Sequence, residues 1–64
     1  MKMIRLVNNQ TGKTNDVWVW QIGEKVFAVC QNVKETNDAI KWCTNHKLGD
    51  KFECDDYSME IVES

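Results

Sequence analysis

The sequence contains no proline, only three glycines and no low-complexity tract. Disordered linkers and tails are rich in such residues, so a folded chain is expected. The glycines are scattered, which excludes a glycine-rich phosphate loop. No apolar run approaches the roughly 20 residues of a membrane span, and "MKMIRLVNNQ" has none long enough for a secretory signal. The expectation is a cytoplasmic protein with no membrane partner. Cysteine is sparse and odd in number: Cys30, Cys43 and Cys54 are irregularly spaced, which suits a reducing compartment better than a disulfide framework. Positive charge is in deficit too. Eight Lys and Arg face ten Asp and Glu, for a net charge of -2, and no basic stripe is available to follow a phosphate backbone.

What the 64 residues do hold is 42% apolar side chains, with three Trp, two Phe and one Tyr. That is enough for one small domain, 1–64, near the lower limit at which a chain folds alone. Acidic residues collect late, at Glu53, Asp55, Asp56, Glu60 and Glu63. A solvated, solubilising cluster is the simplest reading of them.

Periodicity divides the chain. "MKMIRLVNN" alternates as a strand, with Ile4 and Leu6 on one face, and "NNQTGKTND" has the composition of a loop. "VWVWQI" reads as a second strand, and Gly23-Glu24 as a two-residue turn into a third. That register pairs Ile22 with Lys25, Trp20 with Phe27 and Trp18 with Val29. Asn32 with Glu35 three residues later resembles a capping box, and Gly49 is a stop signal, which places a helix of about three turns between them. Ala39, Ile40 and Cys43 share its apolar side. "YSMEIVE" alternates again, with Tyr57, Met59 and Ile61 together. The expectation is an α+β fold of two layers: an antiparallel sheet in β-β-β-α-β order with one helix packed on one face.

Aromatic burial outweighs burial of valine or alanine at roughly 25 cal/mol per Å². The expected core is therefore Trp18, Trp20, Phe27, Val29 and Ile40. The face left for a partner is Val17, Val19, Val26 and Ala28, with Arg5 beside it, and an open sheet face or edge strand of that kind invites a second copy or another protein.

Few residues suggest chemistry. Cys43 and His46 lie three apart on the expected helix, with Cys30 and Cys54 beyond its ends, a set that makes a Cys₃His zinc site conceivable. There is no C-x-x-C pair, and buried cysteines acting as small hydrophobes account for them more simply. His46 near a helix C-terminus suits the helix dipole better than catalysis. Asp55 and Asp56 are adjacent and point apart on a strand. No nucleophile with an orienting group and an oxyanion site can be assembled, so no enzyme and no cofactor is expected.

Three strands followed by a helix resemble, in the order of elements alone, the βββα DNA-binding modules of phage-type integrases and plant transcription factors. Such modules imply a basic sheet face, for which only Arg5, Lys13 and Lys25 are candidates here. A nucleic-acid-binding module is thus the alternative, and a small zinc-stabilised domain a further one. The leading expectation is a non-enzymatic protein-binding module, with another protein or itself as a homodimer as partner. By analogy of size and charge, inhibitors, antitoxin-like proteins and virus-encoded modulators are its class.

Overall fold

A computed structural model describes residues 2–63; Met1, at the start of the expected first strand, lies outside them. Strands β1 (Lys2–Asn8) and β2 (Thr14–Trp18) are followed by a 3₁₀ turn (Val19–Gln21). Helices α1 (Ile22–Cys30) and α2 (Val33–Asn45) come next, then strands β3 (Lys51–Glu53) and β4 (Tyr57–Glu63). The sheet is antiparallel in the order β2-β1-β4-β3, with β1 and β4 paired along their whole length from Lys2↔Glu63 to Asn8↔Tyr57. The fold is a small α+β domain with a four-stranded antiparallel sheet and two helices.

The expected β-β-β-α-β order with a single helix is corrected at three places: residues 14–16, expected in the loop, belong to β2; the expected third strand is helical; and β3 and β4 stand where one last strand is expected. The stretch taken for a hairpin is a 3₁₀ turn running into α1. Val19, Ile22, Val26 and Val29 recur every three or four residues, so a helix lines them up on one face while a strand splits them between two. Ile22 and Val26 are fully buried, with Val19 and Val29 packed against the same core. A helix also satisfies its own backbone, and the Trp18 amide, at the end of β2, donates to Gln21 Oε1 at 3.0 Å.

Gly23 consequently forms no turn. It sits inside α1, where a Cβ would lie 2.9 Å from Ile40 Cδ1, and its missing side chain lets α1 and α2 approach closely. Gln31, at φ 51°, takes the left-handed conformation that ends α1, and the Asn32 side chain accepts from the Glu35 amide at 2.9 Å to begin α2. The helix expected after Asn32 therefore stands with its cap.

At its far end, Lys2 Nζ reaches from β1 and donates to the carbonyls of Cys43 and His46, both at 3.0 Å. A cation at a helix C-terminus satisfies otherwise unpaired carbonyls and opposes the negative end of the dipole.

The core lies between the sheet and the helix pair. Ile4, Leu6, Val17, Tyr57, Met59 and Ile61 come from one face of the sheet, and Ile22, Val26, Ala39 and Cys43 from the helices. The alternation expected for the first and last strands holds. At the opposite end the β1–β2 loop is strapped to the β3–β4 turn: the Asn9 amide donates to the Asp56 carbonyl, Asn9 Nδ2 to the Cys54 carbonyl and Ser58 Oγ to Asn9 Oδ1, each at 3.0 Å.

Candidate functional site

The division of labour expected within "VWVWQI" is reversed. Val17 and Val26, assigned to the partner face, are 5% and 0% exposed core residues, and Val19 packs partly against them. Trp20, assigned to the core, is 80% exposed, with Phe27 at 44% and Ile40 at 38%. The cause is the change of period: once residues 22–30 are helical, Ile22 and Val26 face the sheet while Trp20 and Phe27 turn aside, and the helices cover the Val17 side of β2, which leaves Trp18 on the open face. Ala28 is exposed on α1, and Arg5 alone of the expected partner residues lies on the open sheet face.

Two surfaces emerge. The first follows the outer seam of the helix pair. Gly23 stands three residues after Trp20 and four before Phe27, so all three line one flank of α1 and the turn that precedes it. Ile40 lies over Gly23 from α2, and Val33, one helical period-pair earlier on α2, is 66% exposed. Trp20 also borders a shallow apolar cleft with Lys2, Trp18 and Val19. Four large apolar side chains thus gather along a seam held by ordered helices. An apparent period of two hides them in the sequence; the i, i+3, i+7 spacing of Trp20, Gly23 and Phe27 is the signal that marks them.

The second surface is the sheet face turned away from the helices. Strand pairing puts Lys51, Glu60, Arg5 and Asp16 side by side in one row across β3, β4, β1 and β2. Their signs alternate. Arg5 grips Asp16 with both ends of its guanidinium, Nε to Oδ1 at 3.0 Å and Nη2 to Oδ2 at 3.3 Å. This hydrogen bond holds the Asp16 carboxyl below its ordinary pKa and raises that of Arg5, to which Glu60 also contributes. Beside the row, Trp18, Met3 and Val62 form an apolar one; on its other side lie Thr14, Val7, Ser58 and Glu53. The face is not basic, and with the element order changed the resemblance to βββα modules lapses. Lys25 sits on α1 and Lys13 in the β1–β2 loop, so they do not join Arg5 on one sheet face.

The conceivable zinc set is dispersed. Cys43 is buried and its thiol donates to Met59 Sδ at 3.7 Å, and burial pushes its pKa up to about 11. His46 stacks on Trp42 with ring centroids 4.5 Å apart and bonds the Trp42 carbonyl through Nδ1. Cys30 meets Thr36, and Cys54 meets the Tyr57 carbonyl. Among the described residues no three His, Cys, Asp or Glu side chains are grouped to hold a metal ion. All three cysteines are free, and among the described residues no helix is long and apolar enough to cross a membrane. No protein-family model, curated protein or solved structure matches the chain.

Proposed function

We propose that this protein is a non-enzymatic protein-binding module that engages its partner through the outer seam of the helix pair, with Trp20 as the anchor. The observation that carries this reading is the 80% exposure of a tryptophan held in the 3₁₀ turn that leads into α1. Tryptophan is enriched among the few interface residues that supply most binding energy, and a chain this short has strong reason to bury its aromatics. Leaving Trp20 out, with Phe27, Val33 and Ile40 along the same seam, forgoes stabilisation that a partner surface restores. Small inhibitors, antitoxin-like proteins and viral modulators are the class to which the 64-residue length and the net charge of -2 point by analogy.

The test compares native-extract capture by the wild type and by Trp20→Ala. A protein retained by the first and lost by the second is expected, together with a blue shift of tryptophan emission when the captured protein is added back. Capture that survives Trp20→Ala and Phe27→Ala alike refutes the seam.

A further inference from the structure

The open sheet face carries an inference that goes beyond the seam and stands independently of it. We propose that two copies of this chain pack open face to open face, about a two-fold axis running parallel to the strands.

The order of signs on this face sets the orientation. Read across β3, β4, β1 and β2, the central row is Lys51, Glu60, Arg5, Asp16. A two-fold axis along the strands brings a second copy's row over the first in reverse order. Lys51 then faces Asp16 of the second copy, and Glu60 faces its Arg5; symmetry repeats both pairs. All four charges meet opposite charges. An axis across the strands would instead place each residue over itself, giving four like-charge contacts, which electrostatics disfavours. The face thus selects both its partner and one orientation.

The flanking rows agree. Under the same axis Met3 faces Val62 of the second copy and Val62 its Met3, an apolar contact at the interface, while Trp18 reaches over the Gly49 end of the opposing β3 edge. On the other side Val7 faces Ser58 and Thr14 faces Glu53, so no like charges are opposed. Packed sheets lie about 10 Å apart with nearly aligned strands, a gap that long Arg, Lys, Glu and Met side chains span. An isologous contact needs such self-complementarity, in which residue i meets j and j meets i. A face designed only for solvation has no need of strict alternation across four strands.

Two single variants and their mixture test the proposal, with mass followed by light scattering and sedimentation. The wild type is expected to dimerise at concentrations up to about 1 mM. Lys51→Glu opposes two carboxylates at each symmetric position, and Asp16→Lys opposes two ammonium groups, so each variant alone should dimerise at least about tenfold more weakly. Mixed in equal amounts, the two should form a heterodimer, because Glu at 51 then faces Lys at 16 and native Asp16 faces native Lys51. Both positions are exposed, and circular dichroism of each variant checks its fold. A wild type that stays monomeric at 1 mM overturns the proposal. So does a dimer indifferent to both variants, or one that mixing does not restore. Loss of partner capture on Trp20→Ala bears on the seam alone, so the two surfaces fail separately.

Discussion

At the scale of single residues, exposure and burial set distinct expectations for neighbouring side chains. Trp20 contacts little within its own chain, so Trp20→Ala should alter stability by no more than about 0.5 kcal/mol, read as an unchanged urea midpoint. Ile4 is fully buried on the central strand β1. Ile4→Ala removes core volume at a cost of about 2–5 kcal/mol, against a total of roughly 3–10 kcal/mol for a chain of this length. Its midpoint should collapse toward zero denaturant. Cys43 makes a pH prediction. An unfolded thiol ionises near about 8.5, whereas the folded one is held neutral up to about 11 by burial. The unfolded state therefore loses its proton first, and stability is fully present below about 8.5 and declines as pH rises toward 11. Burial raises the pKa of Tyr57 as well, adding to the decline at still higher pH. Urea midpoints from pH 7 to 10.5 should fall, and iodoacetamide should label Cys30 and Cys54 before Cys43.

At the scale of elements, the pivotal one is α1. Gly23 is the point where it meets α2, and Gly23→Ala sets two effects against each other. Alanine favours a helix interior by about 1 kcal/mol, but its methyl would meet Ile40 Cδ1 at 2.9 Å. That atom is the tip of a partly exposed side chain that can swing outward, so the net change should stay within about 1 kcal/mol. In an Ile40→Ala background the obstruction is gone, and Gly23→Ala should stabilise by about 1 kcal/mol. A double-mutant cycle on urea midpoints reads the difference. The end of α2 depends on Lys2, and Lys2→Met should cost about 1 kcal/mol for the two carbonyls it leaves without a donor.

The same element shows what the sequence made legible. Alternation at Ile4 and Leu6, and at Tyr57, Met59 and Ile61, identified two strands and their buried faces, because a half-buried strand has one period that fits. Asn32 with Glu35 and Gly49 bracketed α2 for an equally local reason. Residues 17–30 are apolar at nearly every second and at nearly every third or fourth position, and a short apolar run of that kind satisfies both periods. Tertiary context decides: only from a helix do Ile22 and Val26 both join Ile4, Met59 and Ile61 in one buried core. With that choice wrong, the faces inverted, and the seam around Trp20 was hidden while buried Val17 and Val26 looked available. The alternating charge row was illegible for another reason. It joins residues from four strands, and only their pairing register brings them into line.

At the scale of the whole molecule, the helices load one side of the sheet with nearly all the apolar burial and leave the other side to paired charges and one apolar row. The strand order β2-β1-β4-β3 adds a further property. The two central strands are the first and the fourth of the sheet's strands in sequence order, and they are joined along seven matched positions. While a ribosome is still adding residues before Tyr57, β1 has no neighbour on that side, and Ile4 and Leu6 have no Ile61 or Met59 to cover them. Assembly therefore waits on the most distant contact in the chain, the kind of long-range pairing that slows folding. Nascent chains stalled short of β4 should remain protease-sensitive and should gain resistance in a single step once β4 has left the exit tunnel. For this protein, arrival of β4 beside β1 and formation of the core are one event.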